Sequence, residues 1–259
     1  MMNVASGDRW RAALQGWAIP SEILNQAPEN PYIHPAINFT VPEVIADSPS
    51  HQRAREVLQS GSSILDIGCG GGVAAMACVP PAEFLIGIDH QPEMLVMFEQ
   101  NATARGVRSE AHEGFWPAIA ESVPVADVAT AHHVVYNVQN IEDFLLAMDA
   151  HAQKRVVIEM PQQHPQSTSA VYWKHFWNVE RPSAPTPEDL LEVLKELGIS
   201  AKCELWEGKM GRGLSLEEEA KFMTIRLCLP MSREPEVKEF MAAQVKPAMR
   251  DLATIWWDK

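Results

Sequence analysis

The 259-residue sequence is short of cations: 21 Lys and Arg stand against 34 Asp and Glu, a formal net charge of −13. Nucleic-acid affinity comes mostly from counterion release by clustered Lys and Arg, and no such cluster is present, so DNA and RNA partners are disfavoured. The same shortage disfavours an anionic membrane surface. No apolar run is long enough to span a bilayer. Near the N-terminus Asp8, Arg9 and Arg11 interrupt any charged-then-apolar signal pattern. These absences predict a cytoplasmic protein with neither a nucleic-acid nor a membrane partner. Cysteine is scarce too. Cys69, Cys78, Cys203 and Cys228 are scattered with no C-x-x-C pair, which predicts free thiols rather than disulfides or zinc. There is no internal repeat and no low-complexity segment.

What is present is a soluble-type composition, 46% apolar, in a chain long enough for one α/β domain with additions. Short apolar runs at 63–67, 84–89, 125–131 and 155–160, with a weaker strand pattern at 108–113, alternate with helical patterns. The latter cover 50–60, begin at Pro92, and recur around 141–148. Strands and helices alternating at this spacing predict a doubly wound, mostly parallel sheet with helices on both faces. Past residue 160 the alternation loosens. Thr186-Pro187-Glu188-Asp189 starts a helix, 202–206 reads as a sixth strand, and Ser215-Leu-Glu-Glu218 is a capping box. A helix over 234–246 and a seventh strand over 252–257 follow. Residues 1–60 read as a helical cap segment with a Pro-rich stretch from Pro28 to Pro49.

The most informative stretch is Ile64-Leu-Asp66-Ile-Gly68-Cys69-Gly70-Gly-Gly72. Two apolar residues end a buried strand, an acid follows, and glycines occupy alternate positions before small residues that can begin a helix. A ligand can lie directly on such a backbone. Strand, glycine turn and helix N-terminus together form a nucleotide-binding corner. The dinucleotide pattern G-x-G-x-x-G/A needs Gly or Ala at 73 and meets Val73 instead, which speaks against an NAD-dependent oxidoreductase.

These residues resemble the first motif of the class I methyltransferases that use S-adenosylmethionine. The resemblance implies a seven-stranded Rossmann-like sheet whose last strand is antiparallel and inserts between the fifth and sixth, with acceptor-side insertions near 161–185 and 208–250. It implies S-adenosylmethionine as cofactor, S-adenosylhomocysteine as product, and Asp66 near the cofactor's methionine end, beside Gly68, Cys69 and Gly70. Gly87-Ile-Asp89-His90-Gln-Pro-Glu-Met94 resembles the second motif. Asp89, 19 residues after Gly70, would hold the ribose hydroxyls, with His90 and Met94 near ribose and adenine. At 113–117 many relatives carry Gly-Asp, and this chain has Gly114-Phe115-Trp116. That leaves Glu113, or the backbone and rings of Phe115 and Trp116, for the adenine contact.

Ala126 to Val138 resembles the family's fourth-strand motif, which places His132 and His133 at the sheet's carboxyl edge beside the sulfonium. Adjacent histidines can also ligate metals, but no further ligand stands at metal-site spacing. Methyl transfer to a hydroxyl, phenol, protonated amine or carbon needs a base, and histidine titrates near neutrality. His133, or His132, is the candidate base, with Tyr136 as a second polar contact. A small-molecule acceptor would then sit among Trp10, Trp17, Phe39 and the aromatics between His164 and Trp177. The competing reading is a regulatory protein that binds S-adenosylmethionine without transferring its methyl group.

Overall fold

The computed structural model describes residues 4–32, 40–209, 214–245 and 247–259. In chain order the elements are α1 (Ser6–Gln15), α2 (Ser21–Leu24), α3 (Pro49–Arg55), β1 (Ser63–Ile67), α4 (Val73–Met76), β2 (Phe84–Asp89), α5 (Pro92–Ala104), β3 (Arg108–Glu113), β4 (Ala126–His132) and α6 (Ile141–His151). They continue with β5 (Ala152–Pro161), α7 (Ala170–Trp177), α8 (Pro187–Glu196), β6 (Lys202–Lys209), α9 (Leu216–Arg226), α10 (Glu234–Ala242) and β7 (Met249–Asp258). The strands form one seven-stranded sheet in the order β3-β2-β1-β4-β5-β7-β6. β7 runs antiparallel to both β5 and β6, and the other pairings are parallel. The fold class and the place of the last strand are as the sequence predicts.

Strand periodicity explains the two cores. Leu65, Ile67, Ile86, Ile88, Val156 and Ile158 face α1, α6 and α8, while Ile64, Leu85, Val128 and Val157 face α3, α4 and α5. Side chains alternate across a strand, so a strand covered on both faces must be apolar throughout. The N-terminal 60 residues divide between layers. Trp10 and Leu14 of α1 belong to the main core, and Ile19 and Ile23 belong to a separate helical cluster with α7, α9 and α10. That cluster follows the carboxyl end of β5.

Two helices are shorter than their sequence patterns suggest. The pattern over 50–60 yields α3, which ends at Arg55 because Leu58 N–H already turns back to the Arg55 carbonyl at 3.0 Å on the way into β1. The pattern over 234–246 yields α10, ending at Ala242, and Lys246 lies outside the described residues. α3 is held against the sheet by Arg155, whose guanidinium donates to Glu56 and Asp258 at 2.7 Å each. Ser50 Oγ and Thr254 Oγ1, 2.6 Å apart, add a buried link.

Candidate active site

The glycine turn is built to be approached closely. Gly68 has φ 67°, and a Cβ there would stand 2.6 Å from Val134 Cγ2. The missing side chain therefore lets the segment after β4, which carries His133, close onto the turn. Gly72 caps α4 at φ 93°, where a Cβ would meet Phe98 at 2.7 Å. Both positions combine a left-handed backbone with no room, which glycine alone tolerates. Gly70 N–H donates to Asp89 Oδ2 at 3.0 Å, and Gln91 N–H donates to Asp89 Oδ1 at 3.0 Å. Asp89 thus ties the β1 and β2 turns together from the carboxyl edge. It does not cap α5, whose N-cap is Gln91. Cys69 is buried in the turn, its N–H on the Ile88 carbonyl at 2.9 Å, and burial pushes its thiol up.

A polar row crosses the α3 and α4 face of the sheet. Register pairs Asp66 with Thr130, His132 with Glu159, and Glu159 with Thr254. Asp66 is 2% exposed and accepts from Ala75 N–H at 3.2 Å and Thr130 Oγ1 at 3.3 Å. Burial pushes its carboxyl up to about 7, against those two hydrogen bonds and with help from Asp89. Asp66 thereby supports the first turn after the glycines from behind.

His133 has φ 62° and its N–H donates to the Glu159 carbonyl at 2.8 Å, which turns its ring back over β5. Its Nε2 lies 3.0 Å from Glu159 Oε1, while 42% of the side chain remains exposed. Glu159 is buried. Burial alone would raise its carboxyl, but the neighbouring imidazoles, the His133 hydrogen bond and the nearby serine hydroxyls hold it well below the usual range. It is a carboxylate at neutral pH. With Nε2–H donating to that carboxylate, His133 Nδ1 carries the free lone pair. His132 is deeper. Its ring stacks on His51 of α3 at 5.5 Å and 16°, and burial pushes it down to about 4. Burial also lowers His51. His132 Nε2 and His51 Nδ1 are both buried without a partner. His132 is thus a neutral ring under His133, and His133 is the one open to an incoming group.

Several expected contacts fall elsewhere. Tyr136 is buried, donates to the Pro161 carbonyl at 2.5 Å, and its phenol is pushed up by burial. Its hydroxyl supports the carboxyl end of β5, a correction to its expected role beside the acceptor. Trp116 turns into the main core and donates to the Phe144 carbonyl at 3.3 Å, so it does not flank an adenine. Phe115 is 68% exposed, stacked on His90 at 4.8 Å, and the pair forms an open shelf past Asp89. Gly114 supports that shelf from the end of β3, and Met94 is buried in the first turn of α5. The aromatics after β5 are mostly committed to packing. Trp10 donates to the Val138 carbonyl, Trp177 to the Leu227 carbonyl, and Tyr172 and Trp173 are buried in the helical cluster. Phe39 lies outside the described residues.

Glu159 and His51 were not singled out from the sequence. The signal for Glu159 is a carboxyl in the otherwise apolar run Val156-Val-Ile-Glu-Met160, since an acid on a doubly covered strand needs a reason. His51, at the start of an amphipathic helix, gives no signal. Among the described residues no group of three or more His, Cys, Asp or Glu is placed to hold a metal ion. No described helix is long and apolar enough to cross a membrane.

Comparison with known proteins agrees with this geometry. A family model described as "Methyltransferase domain" matches residues 41–201. Among curated proteins, the ubiquinone biosynthesis O-methyltransferase of Azorhizobium caulinodans is 33% identical over 85 residues, 33% of this chain and 34% of that protein. The ribosomal protein L11 methyltransferase of Vibrio campbellii is 38% identical over 74 residues, 28% of this chain and 25% of that one. The match thus spans 34% and 25% of these two relatives' length. Among solved structures, the YcgJ protein of Bacillus subtilis superposes with a TM-score of 0.54 at 15% identity, over 81% of this chain and 95% of that one. A methyltransferase from Geobacter sulfurreducens, solved with S-adenosylhomocysteine, gives 0.53 at 13% identity, over 87% and 99%. The chain belongs to the methyltransferase-domain family, and its fold is that of the class I S-adenosylmethionine-dependent methyltransferases.

Proposed function

We propose that the protein transfers a methyl group from S-adenosylmethionine to a small-molecule acceptor, with His133 as the base and Glu159 as the residue that positions it. The observation that carries this reading is the 3.0 Å contact of His133 Nε2 with buried Glu159, on a loop packed against the glycine turn. The site residues suit the donor. Gly68 and Gly70 leave the cradle free of Cβ atoms. Asp89 presents a carboxylate to hydroxyl groups, and the His90–Phe115 shelf offers an aromatic surface beside it. When bound, the donor supplies an electrophilic methyl on a positive sulfur, so the protein's task is position, orientation and exclusion of water.

His133 Nδ1 takes the proton of the acceptor's hydroxyl or ammonium as its nucleophilic atom is freed. Glu159 holds the ring in the tautomer that leaves Nδ1 open and stabilises the imidazolium that results. His132, buried and neutral between His51 and Glu159, lies under His133 as part of the floor. The chain's net charge of −13 and the apolar helical cluster past β5 favour a small acceptor over a nucleic acid. The matches span only part of these relatives, so their acceptors are not carried over.

A labelled-methyl transfer screen over phenols, alcohols, amines and thiols, run beside an S-adenosylhomocysteine titration, tests the proposal. Transfer to at least one acceptor is expected, and in His133→Ala a fall of about 10²–10⁴ in kcat with cofactor affinity retained. Full turnover in that variant would remove the base role. Tight cofactor binding without transfer to any class would favour the regulatory reading.

A further inference from the structure

In a chain this acidic, arginines readily find carboxylates. Arg53 pairs with Glu56 and Glu204, Arg55 with Asp47, Arg155 with Glu56 and Asp258, and Arg233 with Glu236. Two half-buried arginines do not. Arg181 lies over the rings of Trp17 and Trp173, at 5.1 and 5.0 Å from their centroids. Among the described residues it donates only to neutral oxygens, the carbonyls of Trp17 at 2.5 Å and Ala18 at 3.3 Å and Gln166 Oε1 at 3.4 Å, and its Nε is buried without a partner there. The side chain of Arg250, near the start of β7, makes no hydrogen bond or ion pair with any described residue. The undescribed residues contain no Asp or Glu. Burial lowers both guanidinium groups, and the phenol of Tyr136 acts back on Arg250.

Both cations act on the same imidazole, His164. β5 and β7 last pair at Pro161 and Leu252, so Arg250 lies just beyond the carboxyl end of β5. There Gln162 N–H bonds the Asp251 carbonyl at 3.0 Å and the chain runs on into His164. His164 stacks on Trp17 at 4.0 Å and meets the edge of Tyr136 at 5.1 Å. Its Nδ1 accepts from Gln166 N–H at 3.2 Å, which fixes Nε2 as a donor. Burial, and then Arg181 and Arg250, push this imidazole down to about 4, so it is a neutral N–H group between two cations. Tyr136, which touches this cluster, follows His133 by three residues on the same loop.

A partly desolvated guanidinium with no anion is costly to keep, and Arg is suited to bidentate recognition of carboxylate or phosphate. We propose that Arg250, with Arg181 and His164, forms a receptor for an anionic group, a carboxylate or a phosphate, carried by the methyl acceptor. This rests on the methyl-transfer reading only in calling the ligand an acceptor. The receptor itself is a property of the β5–β7 edge. It orients the acceptor from the side opposite the glycine turn, and it selects against neutral analogues because they leave the arginines unpaired.

The test uses the full chain saturated with S-adenosylhomocysteine. Tryptophan fluorescence, reporting on Trp17 and Trp173, follows titration with benzoate, phenylphosphate and the neutral benzamide. One anion is expected to bind in the millimolar range, with benzamide at least about tenfold weaker. The better anion identifies the carboxylate or phosphate source. Arg250→Gln is expected to weaken the anion about tenfold, Arg250→Lys less, with circular dichroism and S-adenosylhomocysteine affinity unchanged. Equal binding of benzamide, unchanged anion affinity in Arg250→Gln, or no anion binding at all would overturn the receptor. If Arg250→Gln does not fold, Arg250→Lys and the benzoate-to-benzamide ratio decide. Anion binding without any S-adenosylhomocysteine binding would instead remove the methyl-transfer reading and leave the receptor standing.

Discussion

At the scale of single residues, the site depends on charges placed where water is scarce. Glu159 is a positioning residue acting through His133, and Glu159→Gln separates that role from a structural one. The amide keeps the volume but cannot stabilise an imidazolium. The expected result is a kcat lower by about ten- to a hundredfold, KM and cofactor affinity little changed, and the acidic limb of the pH–rate profile moved to lower pH. An unchanged profile would mean that the 3.0 Å contact serves packing alone. Asp66 behaves in the opposite way. Its carboxyl is raised in the fold from 3.8 to about 7, so ionising it costs stability. The cost is absent below the unfolded value and fully present above about pH 7, at most about 4 kcal/mol. Asp66→Asn is therefore expected to gain stability relative to the parent as pH rises from 4 to 7, measured by urea midpoints. A constant difference across that range would show that the hydrogen bonds from Ala75 and Thr130 offset burial and leave the carboxyl unshifted by folding.

At the scale of elements, turns and caps decide where side chains land. β1, the glycine turn and α4 act as one unit, because Gly68 must accept both a φ of 67° and the close approach of Val134. Gly68→Ala is expected to cost about 1–3 kcal/mol in strain and to weaken S-adenosylhomocysteine binding, since the β4 loop must back away from the turn. Retained cofactor affinity in calorimetry would contradict that coupling. α8 begins with a complete capping box, Thr186 and Asp189 each serving the other's backbone N–H. Thr186→Ala should lower stability by about 1 kcal/mol and leave methyl transfer untouched, because α8 packs on the face away from His133. The helical cluster of α2, α7, α9 and α10 uses its aromatics for its own core. That is why so few of the rings after β5 remain free for an acceptor.

At the scale of the whole molecule, acid stability follows from opposed titrations. His132 and His164 are held near 4 in the fold against an ordinary 6.5, so the unfolded chain takes protons that the fold refuses. Their stabilisation is present above about pH 6.5 and lost as pH falls towards 4, while the relief at Asp66 offsets part of it. The parent should lose a few kcal/mol across that window, and Asp66→Asn should lose more, because the offset is gone; equal losses would show that the two effects do not share one unfolding transition. The sheet and the glycine turn after β1 were legible in the sequence. β1 and β2 fall where their apolar runs place them, and Gly70 and Asp89 meet at 3.0 Å. Local patterns carry such features, since strand periodicity and glycine turns are properties of a few consecutive residues. Glu159, His51 and Arg250 were not legible as parts of sites, and Trp116 and Tyr136 were placed wrongly. Each depends on which residue stands across from it. Register sets Glu159 beside His132, α3 packing sets His51 on the same ring, and the antiparallel return of β7 brings Arg250 to the end of β5. The sequence by itself determined the parallel sheet and the glycine turn after β1, whereas only the tertiary structure decided which histidine is open, which carboxylate holds it, and which arginines are left without a carboxylate. Pairings between residues a hundred positions apart are settled by packing and burial, and no local pattern records them.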